Sequence, residues 1–594
     1  MARPAANTLH LTTARFWRLL WNPSPGRLGY ALRMACACTV VILVCEIWQV
    51  PDAAVPALVT LALWQKDRVT NAIAGIAVNL LFAVVIFLMF GLVHLTLDHP
   101  LALVSAVALL SLLFFFLGSA SKLKPVSYML ALVVIYAMIV IDQAPIGEIA
   151  TRALLYADLF ILVPGACMVF LGVLICPSPK TLLTQDIAAR LRISAQLLAA
   201  PSTILQEQAE DLLREGAGSM TKYLKLSKLE KLWSQKDLSC LHCALYNSIG
   251  VLTLCLATSR THPPAQEPSE IIQTLNSMAH IFEQGGYPED IDVFSFHNIS
   301  NQDHDISILL SNFSNPDFEA DITAIESAQK EKTGFFFPDA FTNPEHVRFA
   351  VKGTASVMLS YTLFKMLAWQ GIHTCVITCF IVALPTMGEM ISKLTLRISG
   401  ALIGGALGIG SIILCMPHLQ NSAAFLALMA VGAFIASWVK TGDDRIAYAG
   451  LQIGLAFFLS DLKGYGPTTD MTTARDRIIG ILIGNFITYA VFTTFWPSSS
   501  YSKILSPLKK VFENIKKLHN APTPMQALVY LATTQTNLGV TERTLELASL
   551  EPLHMRAAMP ELAHYQQQTQ NAAQLTEHFL LPSQNPYTHL ETHG

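Results

Sequence analysis

The sequence predicts an all-α polytopic membrane protein: two parallel six-helix transmembrane repeats, twelve spans in all, each followed by a cytoplasmic helical domain. Three observations carry that expectation. Charged residues make up 14% of the chain, against roughly 25% in a soluble domain, and mean hydropathy is +0.45. The missing charge is concentrated in two long apolar blocks. The second block repeats the landmarks of the first. Tyr30-Ala31-Leu32-Arg33 matches Phe349-Ala350-Val351-Lys352, Trp48 matches Trp369, and Ala72-Ile73-Ala74-Gly75 matches Arg397-Ile398-Ser399-Gly400. Pro177-Ser178 matches Pro497-Ser498. Each copy has an even number of spans, so the copies share one orientation and are related by an axis along the membrane normal.

Residues 1–30 read as an amphipathic cytoplasmic segment, with Arg3, Arg15, Arg18 and Arg27 opposite Phe16, Trp17, Leu19, Leu20 and Trp21. No short apolar core with a small-residue cleavage site follows, so the first apolar run is expected to be a retained helix. The first repeat, 31–177, has spans at about 32–48, 53–64, 72–97, 101–117, 126–141 and 153–175. A span needs roughly 20 apolar residues, so the second and fifth are short. Residues 178–345 turn polar and amphipathic at helical period, broken at His262-Pro263-Pro264 and Gly285-Gly286-Tyr287-Pro288. They read as a cytoplasmic helical domain. The second repeat, 346–497, has spans at about 347–369, 372–387, 394–416, 423–439, 446–460 and 478–496. Residues 498–594 form a smaller helical domain, clearest over 505–518 and 525–550.

Loop charge orients the first block. The N-terminal arginines, Lys66, Arg68, Lys122, Lys124 and Lys180 fall on one side, and Arg152 stands alone on the other. Basic residues collect inside, so both termini are expected in the cytoplasm. Lys393, Arg397, Lys440 and Arg445 favour the same topology for the second block, against Lys463, Arg475 and Arg477. Net charge of −3 with no basic run argues against nucleic-acid binding. The eleven cysteines avoid external loops, so no disulfide is expected.

The candidate transport path lies on the second span of each repeat. Both are short and hold a proline, Pro56 and Pro385. Interrupted apolar segments at matching positions of two halves point to a transport site. Thr60, Trp64 and Gln65, with His373, Thr374 and Thr378, lie there. Alternatively each proline only tilts a helix end. Asp158 and Glu46 are the candidates for proton coupling, because a carboxylate inside a span is costly and can change charge. The bland alternative is an ion pair or a headgroup-level charge. Arg33, Lys352 and Arg397 mark inner span ends and either anchor topology or attract an anionic substrate. Gly400, Gly404 and Gly408, with Gly480 and Gly484, read as helix-packing faces. Cys240-Leu241-His242-Cys243 lacks a second ligand pair, and Cys375 and Cys379 follow His373 inside a span, so neither is read as a metal site. No triad or paired-carboxylate arrangement suggests an enzyme, and no cofactor is called for.

Pro338-Asp339-Ala340-Phe341-Thr342-Asn343-Pro344, Gln370-Gly371-Ile372-His373-Thr374-Cys375, Arg397-Ile398-Ser399-Gly400-Ala401-Leu402-Ile403-Gly404-Gly405, Arg475-Asp476-Arg477-Ile478-Ile479-Gly480 and Trp496-Pro497-Ser498 resemble the fusaric acid resistance family, also called the aromatic acid exporter family. Within it the likeness is greatest to inner-membrane subunits of three-part multidrug efflux systems. The resemblance implies a multi-pass protein of the cell inner membrane, surrounded by lipid, that exports aromatic carboxylic acids or other small amphipathic compounds. It implies a periplasmic membrane-fusion adaptor and an outer-membrane channel as partners, and the proton gradient as energy source. The absence of a Gly-x-x-x-x-Gly-Lys-Ser/Thr loop agrees with that energy source. A homo-oligomer is left open. The competing expectation is a passive anion channel, since plant malate channels also pair six-helix units.

Overall fold

The computed structural model describes residues 13–21, 26–96, 99–141, 147–261, 270–288, 301–314, 319–329, 334–464 and 466–578. The chain forms two compact units. One comprises residues 1–176 and 332–499, the other 177–331 and 500–594.

The first unit opens with α1 (Thr13–Trp21) and α2 (Arg27–Ile47), followed by the ten-residue α3 (Ala54–Leu63). Pro56 falls in the first turn of α3, where a missing N–H is harmless, and Asp67 Oδ2 accepts from Thr70 N at 2.7 Å in the first turn of α4 (Arg68–Thr96). Next come α5 (Pro100–Ala120), α6 (Lys124–Ile141) and α7 (Gly147–Ile175). The second unit then supplies α8 (Pro179–Ala199), α9 (Thr203–Glu215), α10 (Gly218–Glu230), α11 (Gln235–Thr261), α12 (Glu270–Glu283), α13 (Asn301–Ser311) and α14 (Glu319–Gln329).

Back in the first unit, the 334–343 segment docks on the end of α5, where Ala120 O accepts from Phe337 N at 3.0 Å. Asn343 then caps α15 (Pro344–Met366) by accepting from Glu345 N at 3.0 Å, with Pro344 at the first helical position. The nine-residue α16 (Thr374–Val382) follows and stops just before Pro385. Thr386 caps α17 (Met387–Gly410), which runs into a π-helical turn at Ser411–Cys415. Then come α18 (Ser422–Lys440), α19 (Asp444–Asp461), a two-residue hairpin of β1 (Leu462–Lys463) and β2 (Gly466–Pro467), and α20 (Met471–Thr494). The second unit closes with α21 (Leu505–His519), α22 (Pro524–Ser549) and α23 (Met559–His578).

Among the described residues, eight helices are long and apolar enough to cross a membrane. Seven lie in the first unit: α2, α4, α5, α7, α17, α18 and α20. This is a multi-pass membrane protein. The eighth, α11, belongs to the second unit, and its apolar window is wholly buried among the helices around it. It is a core helix rather than a lipid-facing one. In the first unit, α3, α6 and α16 are apolar but short. There α15 carries Glu345, His346, Arg348, Lys352 and Lys365, while α19 carries Asp444, Arg445, Gln452 and Asp461.

Packing in the first unit crosses between the two halves of the sequence. α2 packs on α18, and α15 on α5. Likewise α3 packs on α19, and α16 on α6. Within the halves the tightest pairs differ. α4 lies on α7, where a Cβ at Gly75 would sit 2.5 Å from Gly165 O. α17 instead lies on α19.

The second unit is organised around α11, flanked by α8, α10, α13 and α22. Its polar side is a cluster facing α14. His242, 3% exposed, lies 3.2 Å from Glu326 Oε1, which also accepts from Tyr246 OH at 2.9 Å. Ser239 and Lys228 hold Glu319. The hydrogen bond from His242 pulls the Glu326 carboxyl down to about 2. A depressed carboxylate stabilises the fold above its unfolded value, and that contribution fades as pH falls from about 4.5 through about 2. It is on the order of 2–3 kcal/mol. Pepsin cleavage within 319–329 is therefore expected to rise over that window. A His242→Leu variant is expected to show it already near pH 4.5.

Candidate functional site

The first unit encloses a cavity of about 400 Å³, within the usual range for small-molecule sites. It is walled by α3, α6, α16, α17, α19 and α20. The helical repeat explains the lining. Residues four apart share a face, and α17 presents Lys393, Arg397, Ala401 and Gly405 to the cavity. α19 presents Tyr448, Gln452, Ala456 and Ser460, and α6 presents Tyr128, Leu132 and Tyr136. The two short helices both reach it, α3 through Val55, Leu58 and Ala62, and α16 through Thr374, Ile377 and Phe380, with His373 in the turn just before it.

Its electrostatics are one-sided. Lys393, Arg397 and Arg477 line it, and none of the lining residues is acidic. Arg397 is 2% exposed. Its guanidinium donates to Gln452 Oε1 at 3.1 Å, Thr378 Oγ1 at 3.1 Å and Tyr448 OH at 3.3 Å, all neutral groups. Its Nε is buried without a partner, and among the described residues no carboxylate pairs with it. The Lys393 ammonium lies 5.1 Å from the centre of the Tyr448 ring. The rest of the wall is apolar or aromatic, with the His373 and Tyr136 rings 5.7 Å apart and the Tyr128 hydroxyl buried without a partner. Such a site suits a flat molecule with one anionic group. A buried guanidinium satisfied only by neutral groups still lacks a counter-charge, a deficit of several kcal/mol that a bound anion offsets.

The sequence candidates separate into those the cavity gathers and those it does not. His373, Thr374 and Arg397 line it, and Thr378 stands behind, its Oγ1 donating to Thr374 O at 2.7 Å while accepting from Arg397. Thr60, on the opposite face of α3, and Trp64, just past its end, are fully buried, with Thr60 Oγ1 donating to Pro56 O at 2.9 Å. Gln65 backbone groups are held by the Asn71 amide at 2.9 and 2.8 Å. Arg33 is half-buried and Lys352 donates to Trp496 O at 2.9 Å, both away from the cavity. Asp158 is half-buried on α7, while the Arg152 guanidinium pairs instead with Glu148 at 2.6 Å. Glu46 is half-buried at the end of α2, with Oε1 lacking a partner. Gly400, Gly404 and Gly408 face α19, and Gly480 and Gly484 face α16.

Tyr448, Gln452 and Ser460 were not singled out from the sequence. Their signal is the four-residue spacing of polar side chains along an otherwise apolar helix.

Residues 357–491, which include α16 to α19 and most of α20, match the family model described as fusaric acid resistance protein-like. Multidrug resistance protein MdtO of Escherichia coli O157:H7 is 25% identical over 561 residues, covering 90% of this chain and 80% of its own length. MdtO of Escherichia coli K12 gives the same identity and coverage. MdtO of Shigella flexneri is 33% identical over 203 residues, 34% of this chain and 30% of its own. No solved structure matches. Four of the cavity's six helices, α16, α17, α19 and α20, thus fall in the region that matches the fusaric acid resistance protein-like model, within a chain that resembles multidrug resistance protein MdtO over nine-tenths of its length.

Proposed function

We propose that the protein is an inner-membrane exporter of small amphipathic anions, aromatic carboxylates foremost, which pass through the cavity between α3 and α16. The observation that carries this is Arg397, a buried cation without an acidic partner facing an apolar, aromatic-lined space. About 150 Å³ accommodates a single benzene ring, so the cavity has room for a one- or two-ring acid. The likeness to multidrug resistance proteins supports an efflux direction.

In this account all twelve helices of the first unit after α1 are spans, arranged as two parallel repeats. The reciprocal pairing of α2 with α18 and α15 with α5, and of α3 with α19 and α16 with α6, supports the repeat. Both termini and the second unit are cytoplasmic, proton entry drives export, and a periplasmic adaptor with an outer-membrane channel completes the route. The rival reading, a passive anion channel, draws on the same three cations.

Purified protein in liposomes separates the two. With a labelled aromatic acid and an imposed pH gradient, an exporter accumulates label above the level in protein-free liposomes. A channel only speeds equilibration. No protein-dependent movement of the acid would sink both.

A further inference from the structure

One carboxylate in the first unit has no assigned task. Asp461, the last residue of α19, is 0% exposed. Its Oδ2 accepts from Ser411 Oγ at 2.5 Å, and its Oδ1 is buried without a partner. Gly408 makes the space, since a Cβ there would lie 3.3 Å from that same Oδ1. Ser411 opens the π-helical turn at the end of α17, a distortion that often marks functional positions.

The charged groups on the surrounding elements are engaged elsewhere or remote. On the hairpin, Lys463 Nζ bonds Asp470 at 2.8 Å. On α20, Arg475 pairs with Asp476 at 2.9 Å, and Arg477 lines the cavity. Before α3, Asp52 accepts from Gly464 N at 2.8 Å. On α18, Lys440 donates to Leu61 O and Ala62 O at the other end of the bundle. On α17, Glu389, Lys393 and Arg397 lie about 16 Å or more along the axis from Gly408. On α2, Glu46 is the other carboxylate nearby, with its Oε2 3.6 Å from a Cβ built at Gly466. Among the described residues no cation pairs with Asp461. A buried carboxylate so placed is costly, and taking up a proton removes the charge and gives the group an O–H to donate.

Resting on the exporter reading, we propose that Asp461 is the proton-binding site through which the gradient drives export. An O–H bond forms at Oδ1 with a proton from hydronium, leaving water. It breaks when the proton passes to water on the inner side, restoring the carboxylate. Asp461 and Ser411 join α19 to α17, the helix that holds Arg397. Charging and discharging this joint therefore biases the helix pair that frames the anion site.

Asp461→Asn in proteoliposomes is expected to lose accumulation driven by a pH gradient, down to the protein-free level. It is expected to keep exchange of labelled for unlabelled acid, which also reports a folded protein. Asp158→Asn and Glu46→Gln are expected to keep both. Ser411→Ala is expected to keep exchange and to move the pH of half-maximal accumulation. Gradient-driven accumulation that survives in Asp461→Asn overturns the assignment alone. So does an unmoved pH profile in Ser411→Ala, should Asp461→Asn lose exchange as well. Wild-type liposomes that neither accumulate nor exchange the acid overturn the exporter reading and this assignment with it.

Discussion

Replacing Arg397 with glutamine is expected to abolish export and to weaken binding of an aromatic carboxylate by roughly thirtyfold or more. Removing one side of a buried charge-assisted pair costs about 2–5 kcal/mol. The substrate carboxylate would face a wall that retains Gln452 and Thr378 but has lost the guanidinium bonded to them. The stability of the empty protein should move the other way. Its guanidinium is bonded only to neutral groups, so the neutral variant is expected to melt at the same temperature or higher. A structural arginine would give the reverse pair of results, with binding intact and melting lowered. Thr378→Ala or Gln452→Leu should each cost less, about 1 kcal/mol or fivefold in affinity. Arg397→Lys keeps the charge but loses the planar fork, and is expected to recover only part of the binding.

The second large effect is expected at Gly404. A Cβ there would lie 2.4 Å from Ile453 O and 2.9 Å from Ile453 Cα, both backbone atoms that cannot swing aside. Alanine is expected to force α17 and α19 apart at a cost of about 1–3 kcal/mol, and valine more. These helices also carry the walls of the cavity, so Gly404→Val should leave little folded protein in the membrane. The control is Gly410→Ala on the same helix, where nothing lies within 4 Å of the added atom. That variant is expected to keep wild-type yield, since alanine favours a helix by up to about 1 kcal/mol over glycine. Equal yields of Gly404→Val and Gly410→Ala from detergent extraction would contradict the packing argument.

Apolar length was the most legible property of the chain. The run at 153–175 lies within α7, and the short run at 53–64 brackets α3. Prolines and glycines punctuated the helices where they were expected to, since α11 stops at Thr261 before His262-Pro263-Pro264 and α12 stops at Glu283 before Gly285. These are local effects, decided within one turn of chain. The run at 394–416 shows where local reading stops. α17 begins earlier, at Met387, because Thr386 caps it, and it ends in a π turn that no hydropathy pattern encodes.

The cavity was less legible for a geometric reason. Its wall is assembled from six helices, each giving residues at four-residue steps, and the steps come into register only when the helices pack. Arg397, Thr378, His373 and Thr374 were readable as polar residues on suspicious spans. Nothing in the sequence said that Thr378 would hold Arg397, or that Gln452 and Tyr448 would meet them from α19. Thr60 and Trp64 share a span with cavity residues but occupy its other face. Proline position identifies a helix, not which side of it is turned inward. Asp461 was hidden by its place at the edge of an apolar run, where a charge ordinarily reads as lying at headgroup level.

The account stands most directly on where the anion binds. Cryo-electron microscopy of the purified protein with an iodinated aromatic carboxylate locates both ends of the ligand. The carboxylate is expected within hydrogen-bond distance of the Arg397 guanidinium, with the ring among Tyr136, Phe380 and Tyr448. A ligand bound elsewhere, with this cavity vacant, would contradict the account.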